Sequence, residues 1–276
     1  MKMVSAERPS DRSGRRYHIA VAPGQVAPYV LLPGDPSRAR RIAKYWDESE
    51  LIAEHREYVT YTGRYKGVPV SVTSTGIGGP AAAIAVEELA SVGAHTFIRV
   101  GSTGAIVKEV GLGELIIPLG AVRLDGTSKQ YVREEYPAVP HYEVLVALIE
   151  AAEGLGYKYH LGIVASTDSF YTGQGRPGYG GYRQSWMLNL VDDLRNAKVL
   201  SFEMECSTIF TLSNLFGLRS GAVLAVFANR VTNEFEVKGE EEAIKVANEA
   251  VKILSEWDSM KERGNKKYWH PSLSRG

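Results

Sequence analysis

Thr96-Phe97-Ile98-Arg99-Val100-Gly101-Ser102-Thr103-Gly104 decides how this chain folds and what it can hold. Phe97, Ile98 and Val100 make a short apolar run closed by glycine, the pattern of a buried strand, Thr96–Gly101, in an α/β sheet. A guanidinium inside such a strand is costly unless a carboxylate or a bound anion meets it. Arg99 therefore marks either a buried ion pair or an anion site, and the residues alone leave both open.

The same alternation of apolar runs and helical patterns continues on either side. Tyr29–Leu32 reads as a strand stopped by Pro33-Gly34. Leu51–Tyr61 and Val68–Ser74 read as strands around a hairpin-like turn at Gly63–Gly67. Pro80 opens an alanine-rich helix over Ala81–Val92, where its missing N–H costs nothing. Strands follow at Glu114–Val122, Tyr159–Ser166, Lys198–Phe202 and Ser220–Ala228. Helices are expected at His141–Glu153, Arg183–Asn196, Glu205–Phe216 with Gly217 beyond it, and Glu240–Arg263. With no repeat or linker, this predicts a single α/β domain over residues 18–263, a mixed sheet flanked by helices. A polar arm over residues 1–17 and a charged, Pro/Ser/Gly-containing tail over 264–276 are expected to be flexible.

The chain has 276 residues, with 32 Lys plus Arg against 32 Asp plus Glu. The zero formal charge argues against nucleic acid as the main partner, though not against a small anion held by a few arginines. No apolar run approaches the roughly 18 residues of a membrane span, and the arm lacks the apolar core of a secretory signal. One cysteine, Cys206, forms no internal disulfide, and the six histidines are scattered without ligand spacing. A cytoplasmic protein without a metal site is expected.

Four segments gather Gly, Ser/Thr and Arg at strand ends, where open α/β sheets bind ligands: 32–38, 74–80, 99–104 and 166–175. The glycine turn at Gly76–Pro80 lacks the G-x-G-x-x-G spacing, and no acidic residue closes the next strand. A dinucleotide site and a Walker A loop are both excluded. Arg38, Arg56 and Arg99, with Gly34 and the Ser102 hydroxyl, are candidate donors to a tetrahedral oxyanion. In Glu203-Met204-Glu205 a carboxylate at a strand end suits either a helix dipole or vicinal sugar hydroxyls. Phe170, Gln174 and Arg176 suit a base edge with adjacent carbonyl and N–H groups, or else an exposed loop.

Taken in order, LPGDPSR, HREY, STGIGGP, TFIRVGSTGAI, VRLDG, STDSFYTGQGR, FEMEC and FANR closely resemble the uridine phosphorylase branch of the nucleoside phosphorylase family, from about His18 to Ala250. The resemblance implies a nucleoside phosphorylase-like fold with a distorted mixed sheet, assembled as a homohexamer of dimers that share active sites. It implies phosphate contacts from Gly34, Arg38, Arg99 and Ser102, with Arg56 reaching into the neighbouring subunit's site. His18, Met204 and Glu205 would contact ribose, the histidine again from the partner. Phe170, Gln174 and Arg176 would read uracil, with Glu203 and Arg230 close by. Arg99, Glu205, Arg176 and Gln174 would carry catalysis.

The implied reaction is reversible phosphorolysis of uridine, with inorganic phosphate as co-substrate and no cofactor. Some relatives bind a monovalent cation through a Glu, a carbonyl in the glycine turn and a Ser after its proline. Glu57 and Ile77 match the first two, but Ala81 stands third, so no intact cation site is expected. The alternatives are a purine nucleoside phosphorylase, a nucleoside hydrolase and a non-catalytic nucleoside-binding protein.

Overall fold

The computed structural model describes residues 4–275, so Met1–Met3 of the expected arm and Gly276 of the tail lie outside the described residues. The strands are β1 (Tyr29–Pro33), β2 (Glu48–His55), β3 (Tyr58–Tyr65), β4 (Val68–Thr73), β5 (Thr96–Ala105), β6 (Leu115–Leu124), β7 (Tyr159–Thr167), β8 (Val199–Glu203), β9 (Arg219–Asn229) and β10 (Glu234–Phe235). The helices are α1 (Pro36–Ala43), α2 (Gly79–Ser91), α3 (Thr127–Tyr131), α4 (Tyr142–Leu155), α5 (Ser185–Asn196), α6 (Cys206–Leu215) and α7 (Glu240–Arg263). All ten strands join one mixed sheet, ordered β10-β9-β6-β7-β8-β5-β1-β4-β3-β2, with β5 also paired to β9.

That extra pairing closes β5, β9, β6, β7 and β8 into a ring, and its cause lies in β5 itself. Along its first half β5 pairs with β1 on one edge, ending at Pro33 opposite Val100. Beyond that point Gly104 and Ala105 pair with Phe202 and Ser201 of β8 on the edge that β1 has vacated. The strand is thus longer than the predicted Thr96–Gly101, because Gly101 and Gly104 continue the ladder instead of stopping it. Between the end of β1 and the end of β8, beside Ser102 and Thr103, the sheet leaves an opening.

Side-chain alternation along β5 sorts the layers. Ile98 and Val100 enter the core packed by α4 and α7, whereas Phe97 enters the core packed by α2 and α6. Arg99, two residues after Phe97, falls on the α2/α6 face, which brings it to the start of α6. Asp35 caps α1 by accepting from the Ser37 N–H at 2.8 Å, so this helix begins directly after β1. Three glutamates open α7, and Lys261 and Arg263 close it, complementing the helix dipole.

The predicted strand Leu51–Tyr61 is instead two antiparallel strands, β2 and β3, turning at Arg56-Glu57. Arg56 takes φ +55° there, a left-handed conformation that β-like alternation through His55 and Tyr58 conceals. The second turn falls at Lys66-Gly67 rather than over Gly63–Gly67. Within the arm, Ser10 and Arg16 form a bridge. Within the tail, Trp269 is buried and stacks on Trp257 with ring centroids 3.7 Å apart. Among the described residues no helix is long and apolar enough to cross a membrane.

Candidate active site

The opening beside β5 leads into a cavity of about 800 Å³. Ten of the predicted residues line it: Gly34, Arg38, Arg99 and Ser102 of the anion set, Met204 and Glu205, and Phe170, Gln174, Arg176 and Glu203. The segments that carry them are far apart in sequence and meet because β1, β5 and β8 end around the same opening.

Arg99 meets a carboxylate, one of the two partners that a charge in its strand called for. Its Nη2 donates to Glu205 Oε2 at 2.7 Å, a buried ion pair, and Nη1 donates to Thr75 Oγ1 at 2.9 Å. Its Nε is buried without a partner. The Arg99–Glu205 pair borders the cavity. Glu205 is held from its other side by the Gly78 N–H, 2.7 Å from Oε1. Gly78 has φ +95°, a conformation only glycine takes easily, so the glycine turn fixes a carboxylate rather than a nucleotide. Gly34 is needed for closeness: a Cβ there would lie 2.9 Å from the Gly76 carbonyl oxygen and 3.0 Å from Arg99 Nη2.

Arg38 is likewise buried and paired. Its Nε donates to Glu240 Oε2 at 2.9 Å, and Nη1 donates to the Val100 carbonyl at 3.1 Å. Burial lowers its pKa more than Glu240 restores it, with Arg99 adding to the fall. Each buried arginine of the cavity therefore already faces one carboxylate.

Glu203, at the end of β8, accepts from the N–H groups of Glu205 and Cys206, each at 2.7 Å, and from the Ser166 hydroxyl. It thereby fixes the backbone at Glu205 and caps α6. Burial raises its pKa, and the Glu205 carboxylate adds to the rise. Behind it, Asp125 accepts from the Ser207 and Thr208 hydroxyls and ties α6 to the end of β6.

Arg176 donates to the Gln174 side-chain oxygen and, at 2.6 Å, to the Phe170 carbonyl, with its guanidinium 4.1 Å from the Phe170 ring centroid. Gln174 Nε2 donates to Thr167 Oγ1 at 3.2 Å, which fixes the amide orientation. Gln174 is buried, whereas Phe170 and Tyr171 at the start of the segment are exposed.

Three predicted residues do not line the cavity. Arg230 stands behind Gln174 and donates to its main-chain carbonyl; burial, with Arg176 nearby, brings its pKa down to about 10. His18 and Arg56 lie together at a separate patch. His18 Nδ1 is 2.7 Å from Glu88 Oε1, and Arg56 lies 5.6 Å over the Tyr17 ring. The Ala81 carbonyl, at the third position of the cation motif, accepts from the Tyr58 hydroxyl at 3.0 Å.

The cavity also takes residues that the sequence reading did not single out. Phe202, Phe227 and Phe235 add aromatic wall. Phe202 adjoins Glu203 and was within reach of a strand-end argument. Phe235 carries no local signal, since it reaches the cavity only through the two-residue strand β10.

The profile described as the phosphorylase superfamily matches residues 28–256. A uridine phosphorylase of Thermococcus kodakarensis is 66% identical over 272 residues, 99% of this chain and 98% of that protein. A uridine phosphorylase of Treponema pallidum is 42% identical, covering 88% of this chain and 95% of its own. A guanosine phosphorylase of Halorubrum lacusprofundi is also 42% identical, covering 78% of this chain and 83% of its own.

Proposed function

Because the chain belongs to the phosphorylase superfamily, we propose that it catalyses the reversible phosphorolysis of uridine to uracil and ribose 1-phosphate. One observation carries this reading beyond family membership. A single cavity holds two buried arginines, a carboxylate anchored between Arg99 and a glycine turn, and an oriented amide–guanidinium pair beside an aromatic ring. A relative named for guanosine is as similar as one named for uridine, so identity near 42% does not choose the base. The Gln174–Arg176 pair favours a pyrimidine, because amide and guanidinium together match adjacent carbonyl and N–H groups on one edge.

Phosphate is a poor nucleophile and uracil a poor leaving group, so catalysis is positional and electrostatic. Arg38 and Arg99, with Gly34 and Ser102, hold phosphate below C1′. There its charge stabilises the oxocarbenium-like sugar as the glycosidic bond lengthens. Glu205 and Met204 fix the ribose hydroxyls, and Glu203 keeps Glu205 in place. Gln174 and Arg176 take up charge on the departing base. Arg230 supports them by holding the Gln174 backbone. No covalent enzyme intermediate is required.

Two cations already matched by two carboxylates bind a dianion weakly, so the account needs a further positive charge. Arg56 of a neighbouring subunit supplies it, and the neighbour's His18 meets the ribose 5′-hydroxyl. Their shared patch outside their own cavity supports an active unit that is a homo-oligomer, a hexamer of dimers. No resident cofactor is invoked, and Ala81 argues against an interface cation. The setting is pyrimidine salvage in the cytoplasm. Base release from uridine, thymidine and inosine, each with and without phosphate, tests the proposal. Uridine should be cleaved fastest and only with phosphate, whereas faster inosine cleavage would make this a purine enzyme.

A further inference from the structure

Glu240 is the first residue of α7 and stands outside the cavity, yet its carboxylate bridges the cavity arginine Arg38 and the exposed Arg41. Oε2 accepts from Arg38 Nε at 2.9 Å and lies 2.8 Å from Arg38 Nη2. Oε1 accepts from Arg41 Nε at 2.6 Å, and Arg41 in turn reaches Asp35, the cap of α1. We propose that Glu240 is a positioning residue, which holds the Arg38 guanidinium in the orientation that receives phosphate. The proposal rests on the phosphorolysis reading above.

Three observations support it. The carboxylate is itself fixed, because Gly239 takes φ +81° against Gly113, where an added Cβ would lie 2.4 Å from the Gly113 carbonyl oxygen. The start of α7 is therefore packed directly against the turn that precedes β6. Arg38 is 7% exposed, and without Glu240 its side chain would be a buried cation left with the Val100 carbonyl and the Phe227 ring, 5.9 Å from its guanidinium. A long side chain freed in that way leaves its place or turns to another carboxylate, and the ordering cost then falls on phosphate binding. Arg41 already shares the Glu240 charge. Removing that charge relieves less repulsion toward phosphate than it costs in orientation.

The test is steady-state kinetics with inorganic phosphate and uridine as separately varied substrates. Glu240→Gln should raise the KM for phosphate about tenfold while the KM for uridine stays near wild type. Glu240→Asp, which keeps the charge but withdraws it from Arg38, should move the phosphate KM in the same direction. Arg41→Ala removes the other partner of Glu240 and should leave the phosphate KM nearly unchanged. An unchanged or lower phosphate KM in the two Glu240 variants would overturn the proposal. So would an equal rise in both KM values, or an equal effect from Arg41→Ala. A wild type that cleaves uridine without phosphate would overturn the underlying reading and this proposal together. A phosphate-dependent wild type with insensitive Glu240 variants would overturn this proposal alone.

Discussion

Replacing Arg99 with methionine removes one charge of a buried pair and leaves the other behind. The pair is 2.7 Å long, and both side chains are 6% exposed. In Arg99→Met, Glu205 keeps a single strong donor, the Gly78 N–H at 2.7 Å. Orphaning a buried partner in this way costs about 3–5 kcal/mol. For a chain of this size that is a fall in Tm of roughly 6–20 °C. Adding Glu205→Gln removes the stranded charge, so the double variant should recover most of the stability lost by Arg99→Met. Activity should not recover with it: both variants should lose about 3 kcal/mol of transition-state stabilisation, more than a hundredfold in rate. Calorimetry on the wild type, two single variants and the double variant, with phosphorolysis assays alongside, completes the cycle. If Arg99→Met melts with the wild type, or if the double variant is no more stable than Arg99→Met, the pair does not carry the energy assigned to it.

Gly34→Ala should raise the phosphate KM at least tenfold and lower Tm by about 2–12 °C, because the added Cβ presses on Arg99 Nη2 and the Gly76 carbonyl; phosphate-dependent kinetics and melting curves check it. Burial favours protonation of Glu114, but Lys158, the Gly111 N–H and His160 outweigh it and hold the carboxyl at about 2, below its ordinary 4.5. A depressed carboxyl stabilises the fold above its ordinary pKa and loses that effect as pH falls through the folded value. Glu114→Gln should therefore cost about 1–2 kcal/mol at pH 7, a cost that shrinks below about pH 4.5 and is mostly gone by about pH 2, as read from melting curves across that range. Trp269→Ala should cost about 3 kcal/mol by removing the stack on Trp257, with unchanged kcat/KM for uridine.

What the sequence reveals depends on how local the physics is. Arg99 announced itself because a charge inside an apolar strand needs an explanation, and α7 matched its predicted bounds because amphipathic periodicity and terminal charges agree there. The β2–β3 turn was hidden because Arg56 adopts a left-handed backbone that its residue type does not advertise. The far half of β5 was hidden because glycines that mark turns elsewhere here continue the ladder, which pairs with β8. Pairings are the least visible. Nothing near Arg38 in sequence points to Glu240, more than two hundred residues away, and nothing near Glu205 points to Gly78. His18 and Arg56 show the opposite limit, since their proposed role needs a second subunit that one chain's sequence does not place.

Phosphorus NMR of the protein with uridine and inorganic phosphate tests the central claim most directly. The account predicts that the phosphate signal declines as ribose 1-phosphate rises, in step with released uracil, and that neither product forms without phosphate. Uracil released with the phosphate signal unchanged would mean that water is the acceptor, and would contradict it.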